Sequence, residues 1–263
     1  YSEKALEIKL DKLGNDHPNV AISYNNLGMF LSDKGDHERA IEYYEKGIEI
    51  QKVKLGHDHP ELATMFDNLG MAHDKMGAYD RAIEYSEKAL EIKLDKLGND
   101  HPSVAISYNN LGLSYTKAGK FEEALKYLSK AVEIVTDEKG NFSLENSSVI
   151  GNYGHALGMS GKVEEGVSFL TLALKRKLEE ETPTFPSIQK SYQKLTEIFE
   201  FAGKEHYAKE YKGMAKWGEL RAQGQFAEKI DPKAFEKEVG IPYSRALEIE
   251  EEIMGWIFFL LIL

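Results

Sequence analysis

The sequence predicts an all-α fold, a solenoid of stacked helix-turn-helix repeats. Three observations lead to this fold class. The pairs His17-Pro18, His59-Pro60 and His101-Pro102 follow one another at intervals of 42 residues, and a fixed interval of that length is typical of repeat proteins. Glycines keep the same interval at residues 35, 77, 119, 161 and 203. Within each interval the apolar residues are spaced three or four apart, as on one face of a helix.

Each unit is expected to contain two amphipathic helices joined by a tight turn. The first helix shows its apolar face at Ala21, Tyr24, Leu27 and Leu31, and the second at Ala40, Ile41, Tyr44 and Ile48. Gly35 lies between the two faces, where a left-handed residue can end one helix and begin the turn. The small residues Gly28 and Ala40 would let the two helices approach closely.

The connection between units is expected to end one helix and to cap the next. Gly56 would end the second helix, and Asp58 followed by Glu61 fits a capping box with Pro60 in the first turn. We therefore predict Asp58 as an N-cap residue. The same pattern predicts Asp16 and Asp100 as the N-caps of the neighbouring units.

The repeats predict two regions of the chain. Residues 1–222 form the array, with a half repeat at 1–16 and units that start near residues 17, 59, 101, 143 and 185. One hairpin cannot bury its apolar face alone, so at least about three units must stack for stability. The period is lost beyond Trp217, and residues 223–263 are predicted to be a C-terminal helical capping region with an apolar tail.

The motif Tyr24-Asn25-Asn26-Leu27-Gly28, followed by Gly35 and by Leu55-Gly56-His57-Asp58-His59-Pro60, resembles the 42-residue tetratricopeptide repeat of kinesin light chains. The resemblance covers about residues 1–215. It implies a right-handed superhelix whose concave groove binds peptide segments of partner proteins, in the sharpest form as a cargo-binding adaptor. Similar repeats also form arrays in NB-ARC-type signalling proteins. The alternative is therefore a regulatory or sensor array whose switch or enzymatic domain lies outside this chain.

In the family the first helix of each repeat lines the groove, and this implies a set of groove residues here. An asparagine amide can both donate to and accept from the backbone of an extended peptide, although the same side chains could instead tie neighbouring helices together. Methionines could form an adaptable apolar floor or belong to the core, and lysines could attract an acidic ligand. The implied residues are Asn25, Asn26, Met29, Asn68, Met71, Lys75, Asn109, Asn110, Leu113, Lys117, Asn152 and His155.

Other function classes are disfavoured by composition and by motifs. The chain has 44 acidic and 33 basic residues, so its net charge of −11 would repel nucleic acid. It contains no phosphate-binding loop, serine elbow or zinc-binding helix motif, so we expect no catalytic residue, cofactor or small-molecule substrate. Neighbouring repeats lie about 10 Å apart, too far for His17, His59 and His101 to share a metal ion. No secretion signal opens the sequence, and we expect a cytoplasmic protein.

An uncharged apolar run, Ile253 to Leu263, follows the acidic stretch Glu248 to Glu252. As a helix, this run would rise about 16 Å, roughly half of the hydrocarbon core of a bilayer. It cannot span a membrane by itself. The run is expected either to pack against the end of the array or to mediate self-association or membrane contact.

Overall fold

A computed structural model describes residues 3–179, 185–223 and 231–255, and these residues confirm the all-α prediction. In the described ranges the only extended pairing is an isolated bridge between Thr136 and Phe142. A short 3-10 turn covers Leu144–Asn146. The helices are α1 Glu3–Leu13, α2 Pro18–Asp33, α3 His37–Leu55, α4 Pro60–Lys75, α5 Tyr79–Leu97, α6 Pro102–Lys117, α7 Phe121–Val135, α8 Ser147–Met159, α9 Val163–Leu178, α10 Phe185–Phe201, α11 Glu205–Ala222, α12 Pro232–Val239 and α13 Tyr243–Gly255. No helix among them is long and apolar enough to cross a membrane.

The chain divides into two compact units, Tyr1–Ile134 and Val135–Leu263. The first unit contains the hairpins α2–α3, α4–α5 and α6–α7, with α1 packed against α2. The second unit contains the hairpins α8–α9 and α10–α11, followed by α12 and α13. Successive hairpins within each unit stack against one another, as expected of a helical solenoid.

The predicted glycine turns are confirmed. Gly35 has a φ of 84° and no heavy atom within 4 Å of the place where a Cβ atom would lie. Glycine is therefore needed at this turn because of its backbone conformation, and not because a side chain would lack space. The same positive φ recurs at glycines 77, 119, 161 and 203, so every hairpin in the array turns in the same way.

A pair of stacked aromatic rings holds the two helices of most hairpins together. Tyr24 on α2 stacks on Tyr43 on α3 with 5.8 Å between ring centroids. Equivalent stacked pairs follow 42 and 84 residues later as Phe66–Tyr85 and Tyr108–Tyr127, and the rings of Tyr192 and Tyr211, 168 residues later, are tilted at 36° to each other. The α8–α9 hairpin departs from this pattern because Ile150 occupies the first position, and Phe169 meets Tyr153 edge to face instead.

The prediction that Asp16, Asp58 and Asp100 cap the first helices is wrong. The N-cap residue of α4 is His59, whose Nδ1 accepts a hydrogen bond from the backbone N–H of Glu61 at 3.3 Å. His17 and His101 cap α2 and α6 in the same way. Because proline disfavours the helical conformation for the residue before it, His59 is extended, with ψ 136°, and Pro60 becomes the first helical residue.

The C-terminal helices pack against the last hairpin. Trp217 on α11 meets Phe235 on α12 edge to face, with 5.3 Å between ring centroids. On α13, Ile253 is only 2% exposed and belongs to the same apolar cluster. The first residue of the apolar run therefore packs against the end of the array, which was one of the two expectations for the run. Residues 256–263 of that run lie outside the described residues.

Candidate peptide-binding face

The first helices of unit Tyr1–Ile134 expose large apolar side chains at corresponding places. Ile22 and Met29 on α2 are 38% and 45% exposed, Met71 on α4 is 47% exposed, and Ile106 on α6 is 55% exposed. We call the surface that these four side chains share with the asparagines of α2, α4 and α6 the first-helix face. The sequence allowed the methionines to be either an apolar floor of the groove or core residues. They are exposed, and so they are not core residues.

Half-buried asparagine amides lie along the first-helix face. Asn68 on α4 donates a hydrogen bond from its Nδ2 to the Oδ1 of Asn25 on α2, at 3.0 Å. Asn25 in turn points its Nδ2 at the sulfur of Met29, 3.7 Å away. On α6 the Nδ2 of Asn109 lies 3.5 Å from the Oδ1 of Asn110. One amide–amide bond therefore links two successive repeats, as the structural interpretation of these asparagines requires.

These contacts use only part of the hydrogen-bonding capacity of the amides. Each asparagine side chain offers two N–H donors and an oxygen that can accept twice. Asn68 uses one donor toward Asn25. Within the described ranges the side-chain amide of Asn26 is half-buried and makes no hydrogen bond or ion pair. The face therefore retains donors and acceptors for the backbone of a bound chain.

Asp67 is the acidic residue at the repeat position of Asn25, and a lysine of the same unit balances its charge. Asp67 on α4 lies 2.5 Å from the Nζ of Lys93 on α5, and Lys93 also donates to the Ser107 hydroxyl at 2.8 Å. Burial raises the pKa of the Asp67 carboxyl, while Lys93 and Ser107 act in the opposite direction. Since both side chains of the pair are 12% exposed, Asp67 offers little charge to a ligand.

Of the two lysines predicted to attract an acidic ligand, one is already paired. Lys117 on α6 forms an ion pair with Asp74 on α4. Lys75 on α4 is exposed, and Leu113 on α6 is half-buried. Of these two lysines, Lys75 alone therefore remains available to an acidic ligand.

Asn152 and His155 lie on α8 in the second unit, and both contact side chains of α10. Asn152 on α8 is buried and accepts a hydrogen bond from Lys194 on α10. The Nε2 of His155 lies 2.7 Å from the Oε2 of Glu197. This neighbouring imidazole lowers the pKa of the Glu197 carboxyl, against the opposing effect of burial. Both predicted groove residues therefore contact an adjacent helix within Val135–Leu263.

Two parts of the first-helix face were missed from the sequence. Ile22 and Ile106 share one position of the 42-residue repeat, with Thr64 between them, and this recurrence could have identified them. Lys93 recurs as Lys9 and Lys177 at intervals of 84 residues, and each of these lysines bonds a serine 14 positions later, so recurrence could have found it as well. Its ion pair with Asp67 could not be found in this way, because that pair depends on how a second helix packs beside the first helices. In the described residues no group of three or more histidine and acidic side chains could hold a metal ion.

Comparison with known proteins agrees with the repeat architecture. A family model described as Tetratricopeptide repeat matches residues 1–53, 21–95, 75–137 and 103–179. No curated protein sequence matches the chain.

Solved structures show the same fold. A Podosopora anserina protein of kinesin light chain type, with nearly identical TPR-like repeats, is 22% identical with a TM-score of 0.61. The match covers 79% of this chain and 98% of that one. BtubC (BKLC) from P. vanneervenii is 21% identical with a TM-score of 0.64, over 87% of this chain and 91% of that one.

Proposed function

Because the chain belongs to the tetratricopeptide-repeat family, we propose that it is a scaffold that holds an extended peptide segment of a partner protein on the first-helix face. Tetratricopeptide repeats generally mediate protein–protein interactions, and their scaffold is typically not enzymatic. In this proposal the first-helix face serves as the groove that the resemblance to kinesin light chains implies. The sharpest form of the proposal is a cargo-binding adaptor like those light chains.

The observation that carries the proposal is the combination of exposed apolar side chains and amides on successive first helices. Met29 and Met71 occupy one position of the repeat and are nearly half exposed. Solvent-exposed apolar side chains that recur in register mark an interaction surface more often than isolated ones do. Asn26, Asn68 and Asn110 accompany them at a second position of the same helices.

The spacing of the repeats suits an extended ligand. Packed helices lie about 8–10 Å apart, and an extended chain rises about 3.3 Å per residue, so each repeat would meet about three ligand residues. Amides at Asn26, Asn68 and Asn110 would bond the peptide backbone, and alternate peptide side chains would contact Met29, Met71 and Ile106. A ligand across α2, α4 and α6 would therefore need about seven to nine residues.

Simple energetics place the expected affinity in the micromolar range. Each amide–backbone hydrogen bond contributes about 1 kcal/mol net. Each apolar ligand side chain that is fully buried contributes about 1.5–3 kcal/mol before the entropy of ordering is subtracted. A micromolar dissociation constant corresponds to about 8 kcal/mol. The apolar contacts must therefore provide most of the affinity, and the amides would fix the direction and register of the backbone.

The proposal is tested by selecting ligands and then removing the amides. Twelve-residue peptides selected from a random display library on the full chain would be measured by fluorescence anisotropy against wild type and the Asn68→Ala/Asn110→Ala variant. We expect wild type to bind with micromolar affinity and the variant to bind at least about fivefold more weakly. Asn99→Ala, on an exposed inter-repeat loop, is the matched control and should change nothing. Equal binding by all three proteins would refute the amide role, and failure to select any peptide would count against the proposed function.

A further inference from the structure

The second helices of unit Val135–Leu263 carry a docked helix. Residues of α13 pack beside α9 and α11, and a cavity of about 270 Å³ remains between α13, α9 and the α10–α11 hairpin. Arg245 on α13 reaches Glu210 on α11, with Nε 2.6 Å from Oε1 and a second nitrogen 3.1 Å from Oε2. The apolar side chains Ala246, Ile249 and Ile253 of α13 are buried. An amphipathic helix with one arginine therefore fits the groove between two successive second helices.

The positions that line this cavity have equivalents in the first unit, on α3, α4 and α5. Val167, Phe199, Glu210 and Tyr211 line the cavity beside α13, and the residues 126 positions earlier, three repeat lengths, are Ile41, His73, Glu84 and Tyr85. We call these four residues, together with Glu42 and Glu45 of α3, the second-helix groove. Apolar, aromatic and acidic side chains thus occur at the positions that hold α13 in the second unit.

The local geometry of the two grooves is also alike. His73 stacks on Tyr85 with 5.4 Å between ring centroids, and Phe199 stacks on Tyr211 at 5.3 Å. Burial lowers the pKa of His73, and the nearby carboxylates of Glu45 and Glu84 act in the opposite direction. Carboxylates from α3 and α5 therefore converge on the same aromatic pair.

The second-helix groove differs from its equivalent in charge and in exposure. Glu42 and Glu45 bring two carboxylates that form no ion pair within the described residues, whereas both oxygens of Glu84 are already paired, with Arg81 at 2.8 Å and with Lys88 at 2.7 Å. Glu42 and Glu45 are exposed, and Ile41, His73 and Tyr85 are only half-buried. An occupant of this groove must bring positive charge to complement the carboxylates of α3.

We propose that the second-helix groove binds an amphipathic helix of a partner protein, one with basic side chains beside an apolar stripe. The arrangement of α13 defines the expected apolar contacts, over Ile41 and Tyr85, and the basic residues of the partner would meet the carboxylates of Glu42 and Glu45. A second copy of α13 is disfavoured as the occupant, because its four glutamates at 248, 250, 251 and 252 outnumber its one arginine, and the carboxylates of the groove would repel this negative charge.

A synthetic peptide tests the inference directly. The probe has the sequence of residues 243–255 with Glu248→Lys, Glu250→Lys, Glu251→Lys and Glu252→Lys, and the unsubstituted peptide is its acidic counterpart. Binding to the full chain is measured by anisotropy at about 0.15 M salt, where nonspecific attraction between distant charges is screened. The protein variants are Glu42→Lys/Glu45→Lys for the groove and Glu133→Lys/Glu138→Lys, at exposed positions outside it, as a control with the same change in charge. Asn26→Ala reports on the first-helix face.

We expect the basic peptide to bind wild type, the control and Asn26→Ala alike, and to bind the Glu42→Lys/Glu45→Lys variant at least tenfold more weakly. The milder Glu42→Gln/Glu45→Gln variant should lie between them, and circular dichroism checks that each variant is folded. No binding to wild type, or equal weakening by the groove and control variants, would overturn the inference. Tighter binding of the acidic peptide would overturn it in favour of exchange of α13 between copies of the chain.

Discussion

Asn68 on α4 donates a side-chain hydrogen bond to Asn25 on α2 at 3.0 Å, although the two residues are 43 positions apart. The bond joins two successive first helices through a pair of half-buried amides on the proposed binding face. It gives Asn68 a structural role alongside its proposed contact with the ligand. Asn26 occupies the position of Asn68 one repeat earlier and makes no such bond in the described ranges.

This difference predicts that Asn26 and Asn68 respond differently to truncation. We expect Asn68→Ala to lower the free energy of unfolding by about 1 kcal/mol, the net worth of a typical hydrogen bond. Asn26→Ala should leave it within about 0.5 kcal/mol of wild type, while both variants weaken binding of a selected peptide. Urea denaturation followed by circular dichroism measures the free energy of unfolding. A larger loss of stability for Asn26→Ala than for Asn68→Ala would show that Asn26 is the structural residue.

The histidine caps predict a specific pattern of stability changes. His59→Ala should reduce stability by about 1 kcal/mol, because the N–H of Glu61 loses its acceptor at the start of α4. His59→Asn should retain most of the stability of wild type, since asparagine is a strong N-cap residue. His57→Ala, two residues earlier on the exposed loop, is the control. If His57→Ala and His59→Ala prove equally harmful in thermal denaturation, loop packing and not capping explains these residues.

Two glycines of α8 differ sharply in the space beside them. A Cβ on Gly154 would lie 2.8 Å from the backbone nitrogen of Leu170 and 2.9 Å from the carbonyl oxygen of Gly166, whereas one on Gly151 would make ordinary contacts at 3.6 Å. Gly154→Ala should therefore destabilise the second unit by about 1–3 kcal/mol through overpacking. Gly151→Ala should be neutral or stabilising by up to about 1 kcal/mol, because alanine favours the helix. Similar effects of the two substitutions on chemical denaturation would contradict the close helix approach at Gly154.

The burial of Ile253 predicts where the chain can be shortened. Truncation after Gly255 removes an uncharged apolar segment and should raise solubility without loss of cooperative unfolding. Truncation after Glu252 also removes Ile253, and should lower stability by about 2–4 kcal/mol because a buried side chain is lost from the cluster. Fluorescence of Trp217, the only tryptophan left in both truncations, follows unfolding of this region. Equal stability of the two truncations would show that Ile253 is not a core residue.

The sequence predicted the elements of the fold because each depends on a local requirement. Glycines such as Gly35 are needed for a positive φ, and the spacing of Tyr24, Leu27 and Leu31 follows from one buried helix face. The error at the caps also had a local origin. The preference for aspartate at the N-cap favoured Asp58, whereas Pro60 as first helical residue requires the cap at His59.

The candidate site was only partly predictable. Repetition identified Asn68 and Met71 as members of one face, but it could not show which asparagines bond to each other. The Asn25–Asn68 bond and the Lys93–Asp67 pair depend on the packing of neighbouring repeats. The position of α13 on α9 and α11 could not be predicted either, because α13 lies outside the repeating part of the sequence.

The central claim is that a peptide ligand lies on the first-helix face, and methyl NMR of the methionines tests it most directly. The chain has seven methionines, and Met29, Met71 and Met76 are exposed to nearly the same extent, at 45%, 47% and 45%. Met76 is the C-cap residue of α4 and lies outside the proposed contact. On titration of ¹³C-methyl-labelled protein with a selected peptide, we expect the signals of Met29 and Met71 to shift in a saturable manner while Met76 stays unchanged. Saturable binding that leaves Met29 and Met71 unmoved would contradict the account.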